Sequence, residues 1–391
     1  MQITRAFEYR IYPNKEQQTL IVKTFGCCRF IYNQMLNDKI EHYKLTKTML
    51  KNTPAQYKTK FEWLKEVDAL ALANVQLNLQ SAFNKFFREP SVGFPKFKSK
   101  KRERRSYTTS RNNSDNIKFL DNKHLQLPKL GSVKIKLHRD LPVDAIIKNV
   151  TVKQDVDEKY FVSICCQYEI DELVLQPIRT GIGLDYSSPM LYVDSNNQSP
   201  DITHWTRILA DKLAKEQRKL SHCKYGSHNY YKQLKKVNKI HAKIKRSRKD
   251  QLNKLSKYLA DNYDLVTIED LNMRAMSQTL RLGKSTMDNG FGMFCNMLNY
   301  KLTDRGKYLV KVDKFFASTK ICNDCGAKNK NITLGTRQWV CPVCGVVHNR
   351  DYNAAKNILE EGIRIVKGRA YPDSLFMLEA RASSSKKVSR L

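Results

Sequence analysis

The chain has 391 residues, 41% hydrophobic and 28% charged, with 70 Lys and Arg against 38 Asp and Glu, a formal net charge of +32. That length accommodates two or three domains, each with its own core. No apolar run approaches the ~18 residues of a membrane span, and the alternating start "MQITRAFEYRIYP" has no signal-peptide core, so a membrane partner is excluded and a cytoplasmic or nucleoid location is expected.

Self-repulsion at this charge is tolerated most easily against a polyanion, which makes nucleic acid the expected partner. Of the ten cysteines, Cys27, Cys28, Cys165, Cys166, Cys223 and Cys295 are scattered or adjacent. In a reducing compartment they read as small, mostly buried hydrophobes. The other four are spaced differently and are taken up below.

In chain order, Ile3, Phe7, Tyr9 and Ile11 share one face of an opening strand that Pro13 stops. Asn14 with Gln17 three residues on forms a capping-box pattern. A helix with Ile21, Phe25, Cys28 and Tyr32 on one stripe follows, and helical text continues to about Arg88. The next stretch places eight Lys and Arg between Arg88 and Arg105, among them Lys96, Lys98, Lys100, Lys101, Arg102, Arg104 and Arg105, interleaved with Phe94, Phe97 and Tyr107. Cations meet phosphates and rings stack on bases, so this loop is expected to touch nucleic acid.

From about Ile117 to Ile170 the pattern has period two, and "DVDEK" turns "YFVSICCQYEI" back onto "IIKNVTVKQ". This reads as a β-rich domain, a small barrel completed by the N-terminal strand with the helical text inserted in it. "ELVLQPIRT" links to a second half.

There, "TGIGLDYSSPMLYVD" reads as a strand entering a hairpin, with Gly181, Gly183 and Asp185 on one face. Flanking glycines would leave room for a hydrated metal and a phosphate. Helical text runs from Trp205 to Ala260, and between Thr206 and Tyr258 seventeen Lys and Arg stand against three acids. One-sided charge on a narrow apolar stripe suits a helical hairpin along a phosphate backbone, with Arg246, Arg248 and Lys249 among the contacts. "YDLVTIEDLNM" is a short strand ending in acids, and alternation cannot choose between Glu269 and Asp270. "GKYLVKVDKFF" is a further strand.

Cys322-x-x-Cys325 and Cys341-x-x-Cys344 lie fifteen residues apart, the spacing of two knuckles on one zinc ion. Four sulfurs leave no open position for water, so the zinc is structural. His348 could compete as a ligand, but reads first as a surface histidine beside the site. Asn349 is a natural N-cap for a helix with Ala355, Ile358, Leu359 and Ile363 on one stripe, and Asp351 falls in its first turn, where the helix dipole favours a carboxylate. An acid on a first strand, one at the end of a later strand and one on a final helix is the RNase H-like arrangement for two Mg²⁺ ions. The ribbon then reads as an insertion before that helix.

The motifs "FEYRIYPNKEQQTLI", "GFPKFKSKKRERRSYTT", "GLDYS", "IEDLNM", "STKICNDCG" and "CPVCGVVHNRDYNAAKNI", in this order, resemble the TnpB (OrfB) family of bacterial insertion sequences, relatives of type V CRISPR effectors. The resemblance runs over almost the whole chain. It implies an α+β multidomain fold: a split wedge-type β-barrel (1–12 and 106–178) with an inserted helical recognition domain (13–105). It further implies a RuvC-like nuclease domain (180–316 and 349–367) carrying the basic helical hairpin 205–260, and a zinc-binding target-nucleic-acid module (317–348). The tail 368–391 is expected to be disordered.

The implied activity is cleavage of double-stranded DNA beside a short flanking motif, guided by an RNA from the element end, with a separate transposase encoded by the same element. Asp185, Glu269 and Asp351 fall on the family's catalytic acids, which selects Glu269 over Asp270. "GLDYS" stands where many members have "GIDLG", and "NRD" where they have "DRD"; neither removes an acid.

Two other classes compete. A non-cleaving binding protein is disfavoured by the intact acid trio. A DDE transposase usually ends its trio in Glu and lacks a four-cysteine ribbon, and none of the eight histidines makes a His-hydrophobe-His pair.

Overall fold

The computed structural model describes residues 2–101, 105–170, 174–279, 288–333 and 335–368. They fall into two compact units, one up to Asp171 and one from Glu172 onward. Among the described residues no helix is long and apolar enough to cross a membrane. Arg102, Arg104 and the tail from residue 369 lie outside the described residues.

The first unit is built on a seven-stranded antiparallel sheet of β1 (Gln2–Tyr12), β2 (Ser106–Ser110), β3 (Lys118–Asp121), β4 (His124–Leu127), β5 (Gly131–Lys136), β6 (Ile146–Gln154) and β7 (Tyr160–Glu169). Its order is β2-β6-β7-β1-β5-β4-β3. β1 is long enough to pair with β7 from Gln2 to Ile11 and with β5 from Arg10 to Tyr12. The hydrogen-bonded order leaves β2 and β3 as edges, so the sheet is an open half-barrel where a small barrel was expected.

Helices α1 (Lys15–Thr46), α2 (Pro54–Lys60) and α3 (Ala69–Arg88) are inserted between β1 and β2. The capping box forms as the sequence implies: Gln17 N donates to Asn14 Oδ1 at 2.8 Å, and Asn14 N donates to Gln17 Oε1 at 3.0 Å. The Gln17 amide also donates to the carbonyls of Leu130 and Ser132, which ties the helix start to the sheet. Ile21, Phe25, Cys28 and Tyr32 are all buried, and they share one core with Tyr9, Ile11, Val162 and Ile164 of the sheet. Helices and sheet therefore fold as one body.

The second unit is a four-stranded sheet in the order β11-β10-β8-β9. β8 (Gly181–Ser187), β10 (Leu265–Glu269) and β11 (Tyr308–Val312) run parallel, and β9 (Leu191–Asp194) returns antiparallel from β8. The stretch read as a linker already belongs here, because Ile178 is fully buried against Leu265, Tyr308 and Val310. Between β9 and β10 come α4 (Trp205–Ile208), α5 (Ala210–Ser221) and α6 (His228–Asn262). Gln233 of α6 pins the hairpin by donating to the Glu216 carbonyl at 2.9 Å and its carboxylate at 2.6 Å. α7 (Met273–Thr279) and α8 (Phe291–Thr303) precede β11, a two-stranded ribbon of β12 (Gln338–Val340) and β13 (Val347–Asn349) follows it, and α9 (Arg350–Lys367) closes the fold.

Candidate active site and metal centre

The last helix is positioned by two glycines. A Cβ placed on Gly183 of β8 would lie 2.1 Å from the Ala355 carbonyl oxygen and 2.7 Å from Leu359 N, both in α9. A Cβ on Gly362 of α9 would lie 2.2 Å from Thr267 Oγ1 on β10. At Gly183 strand backbone meets helix backbone, and at Gly362 the helix backbone meets the Thr267 side chain, because neither glycine carries a side chain. The reading that the β8 glycines make room for a ligand is therefore corrected: the space at Gly183 is filled by α9.

That packing defines the functional face. Residues alternate on a strand, so Asp185 shares the α9 side with Gly183, and Glu269 shares it with Thr267. β8 and β10 pair in parallel up to Leu184 opposite Ile268, which leaves Asp185 and Glu269 one residue further on, at the carboxyl ends of adjacent strands. Asp351 arrives from the first turn of α9, whose N-cap Asn349 accepts from Asp351 N and Tyr352 N, both at 3.1 Å.

The charges of Glu269 and Asp351 bear on Asp185, so the three acids lie near one another. Asp185 is 7% exposed, and its carboxyl is held well above the usual range by burial first, then by the charges of Glu269 and Asp351, with Arg350 opposing. Burial also raises Glu269, against a hydrogen bond donated by Ser318 Oγ at 2.6 Å. Arg350 grips Asp351 Oδ1 through Nε at 3.0 Å and Nη2 at 2.8 Å. Asp270 is elsewhere: it makes an exposed ion pair with Lys311 at 2.9 Å. Clustered, poorly solvated carboxylates of this kind are stable as anions only beside cations. Hard oxygen donors in such a cluster fit Mg²⁺.

The cysteines also meet. The sulfurs of Cys322, Cys325, Cys341 and Cys344 all lie within 4.8 Å of one another, with Cys322 to Cys344 and Cys325 to Cys341 both at 3.6 Å. A tetrahedral ion bound at ~2.3 Å needs sulfurs about 3.8 Å apart, so the set could hold zinc. The two knuckles are alike. Gly326 and Gly345 take φ of +75° and +73° just after each Cys-x-x-Cys, and each donates N–H to the first cysteine's carbonyl. The backbone N–H groups of Cys344 and Val343 pull the Cys341 thiol down to about 6, while burial pushes the Cys322 thiol up to about 12.

His348 is not the surface residue the sequence suggested. It is buried, lies tilted against Trp339 with ring centroids 4.6 Å apart, and places Nε2 3.0 Å from Cys322 Sγ. It faces Trp339 across the β12–β13 ladder, a pairing no local pattern reveals.

The basic segments divide. In the first unit Lys96, Lys100, Lys101 and Arg105 are exposed, and Phe97 is 55% exposed. Lys98 is partly committed: its Nζ stands 4.3 Å over the Tyr32 ring and its backbone is bracketed by Asn33. One of the aromatics does not fit base stacking: Tyr107 is buried in the core against Phe25, whereas Phe94 packs edge-on to Phe83 and Phe86 and stays 44% exposed. In the second unit Lys249 is exposed and Arg246 half-buried. Arg248 is engaged internally, donating to Asp288 Oδ1 at 3.0 Å and Thr206 Oγ1 at 2.8 Å. A charge count along a helix cannot separate such a residue from its neighbours.

Sequence reading also passed over Ser318, Asn353 and Asn357. The two asparagines stand four apart amid alanines on the buried side of α9, where polar side chains need partners. That spacing was the available signal.

Comparison with known proteins places the chain among relatives. The family model described as a helix-turn-helix domain of IS605 OrfB proteins matches residues 1–48, although the described residues there form one strand and one helix. The IS605 OrfB model described as "Probable transposase" matches residues 163–280, and the Cas12f1-like TNB domain matches 291–358. A "Putative RNA-guided DNA endonuclease" of Streptomyces pristinaespiralis is 34% identical over 371 residues, covering 93% of this chain and 90% of the relative. "Putative RNA-guided DNA endonuclease InsQ" of Escherichia coli K12 is 28% identical, covering 93% of each. The protein in the Cas12f1–sgRNA–target DNA complex superposes with a TM-score of 0.58 at 14% identity, covering 91% of this chain and 98% of that one, which shows a shared fold. With that identity over that coverage, the chain belongs to the TnpB (OrfB) family of insertion-sequence proteins.

Proposed function

We propose that this protein is an RNA-guided DNA endonuclease whose RuvC-like, RNase H-like site is Asp185, Glu269 and Asp351. The observation that supports the reading is that Asp185 and Glu269 stand at the carboxyl ends of adjacent parallel strands and Asp351 in the first turn of α9, with the charges of Glu269 and Asp351 bearing on buried Asp185. The strand order β11-β10-β8-β9, with only β9 antiparallel, supports the fold assignment.

Mg²⁺, as two ions, would supply activation of a water and stabilisation of the leaving 3′ oxygen in phosphodiester hydrolysis. The chain's own residues do the rest. Asp185, Glu269 and Asp351 would present the oxygens that hold the ions. Ser318 Oγ donates to one oxygen of Glu269, and Arg350 pairs with Asp351 Oδ1. Specificity rests with base pairing to a guide RNA from the element end, while the protein holds the duplex by its backbone and reads a short flanking motif. A separate transposase of the same element would carry out transposition itself.

The exposed cations near residues 96–105 and the basic helix around Arg246 and Lys249 supply backbone contacts in this reading. Lys96→Ala with Lys100→Ala should weaken guide and target binding for every sequence alike. The slope of log affinity against log salt should fall by about 0.7 to 0.9 for each phosphate that is no longer neutralised. A change in which base is preferred would remove these residues from the positioning role.

The four cysteines hold one structural zinc, stabilising the ribbon that adjoins α9. Cys322→Ser or Cys344→Ser should each lose one equivalent of zinc by metal analysis and weaken target binding or cleavage, with most of the fold intact. Wild-type protein purified without chelators and found zinc-free would exclude this role.

The whole reading is tested by co-expressing the protein with its native flanking DNA and sequencing the RNA that co-purifies. The complex should cut matched DNA in Mg²⁺ and stop in EDTA. A complex that binds its target and never cuts would favour a repressor.

A further inference from the structure

A chain of buried hydrogen bonds runs from the first cysteine knuckle to the carboxylate site. Asn357 of α9, 4% exposed, donates through its amide to two carbonyls, Ile321 and Ser318, each at 2.7 Å. Asn353, one turn earlier and 1% exposed, donates to the same Ile321 carbonyl at 2.7 Å. The knuckle answers in kind: Asn323 N donates to Asn353 Oδ1 at 3.0 Å, and Asn323 Nδ2 to Asn357 Oδ1 at 3.1 Å. Ile321 and Asn323 flank Cys322. Ser318, 3% exposed, then donates its hydroxyl to Glu269 Oε1 at 2.6 Å.

Both asparagines are engaged through amide and carbonyl alike, and the bonds join separate elements. The knuckle is clamped to α9, the segment before it is clamped to α9, and that segment's serine grips the acid at the end of β10. Because α9 also carries Asp351, two of the three acids are located through this one network. Buried amides with partners in place define geometry rather than merely add stability.

We infer that Ser318 is a positioning residue for Glu269, and that Asn357 couples the cysteine knuckle to the carboxylate site by holding Ser318 and Ile321 together. This rests on the proposed nuclease site. It goes beyond it in making the metal knuckle a bracket for the acids, in addition to any contact with nucleic acid. The hydroxyl of Ser318 and the amide of Asn357 lie on one path, so removing either should loosen the same carboxylate.

The test reads divalent metal binding directly, using Mn²⁺ as a spectroscopic substitute and following its EPR signal with the full-length protein–RNA complex. Ser318→Ala removes only one oxygen and should weaken Mn²⁺ binding about tenfold, with zinc content and guide RNA binding unchanged. Ser318→Thr, which restores a hydroxyl, should recover binding to within about threefold of wild type. Asn357→Ala should weaken Mn²⁺ binding to a similar degree and also speed zinc release to a colorimetric chelator. The double variant should be little worse than either single change, as two residues on one path are non-additive.

If wild type binds Mn²⁺ and cuts DNA while Ser318→Ala binds Mn²⁺ normally, the positioning role is overturned and the nuclease reading stands. If the single losses simply add, or Asn357→Ala lowers the melting temperature with no effect on Mn²⁺, the coupling is overturned and Asn357 is only structural. If wild type shows no Mn²⁺ site sensitive to Asp185→Ala, the nuclease reading falls and the inference falls with it.

Discussion

Asp185→Ala, Glu269→Ala and Asp351→Ala should each reduce Mg²⁺-dependent cleavage on the order of 10⁴-fold, with guide RNA binding retained. Residues that act as a unit lose nearly everything together, so the double variants should be little worse than the singles. Each deletion would remove one wall of a shared anionic site, and Asp185, the most buried of the three, has the least solvent to replace what is removed. Asp270→Ala is the internal control. Its carboxylate is engaged with Lys311 on the surface, and an exposed pair of this kind contributes little. Activity should therefore stay within about twofold of wild type. An essential Asp270 with a dispensable Glu269 would reverse the assignment of the second acid.

Gly183→Ala should be strongly damaging. The added methyl group would collide with backbone atoms of α9, the Ala355 carbonyl and Leu359 N, and backbone of a packed helix cannot step aside as a side chain can. Overpacking of this severity costs about 3 kcal/mol or more. Because α9 carries Asp351, cleavage should fall further than stability alone explains. Gly362→Ala meets the Thr267 side chain instead, so pairing it with Thr267→Ala should restore part of the loss. Gly26→Ala, in α1 with nothing within 4 Å of the added carbon, should be neutral or stabilise by up to about 1 kcal/mol. Thermal melts of the variants read all of these. Equal effects at Gly26 and Gly183 would mean that the helix–strand packing does not limit stability.

Local pattern was legible where one element determines its own behaviour. The capping box at Asn14 and Gln17, the alternating faces of β1 and β7 and the N-cap at Asn349 follow from neighbours within a turn or a hairpin. The cysteine spacing was legible for a similar reason, since each knuckle is closed by its own backbone. What remained hidden depends on contacts distant in sequence. His348 is buried because Trp339 and Cys322 surround it, and Arg248 is withdrawn from solvent because Asp288 accepts it. Alternation along β10 left Glu269 and Asp270 equivalent; only the approach of Gly362 to Thr267 shows which face α9 covers. The close approach at Gly183 inverted a reading in the same way, because an empty side-chain position invites backbone as readily as a ligand.

The central claim is that guide pairing, rather than protein contact, chooses the cut site of the Asp185–Glu269–Asp351 centre. The most direct measurement is cleavage by the purified protein–RNA complex after only the guide segment of the RNA has been changed. Two plasmids, each matching one guide beside the same flanking motif, would be offered in Mg²⁺. Cleavage should move wholly to the newly matched plasmid, and Asp185→Ala should cut neither. Cleavage that stays at one duplex sequence whichever guide is loaded, or that persists after the RNA is removed, would contradict it.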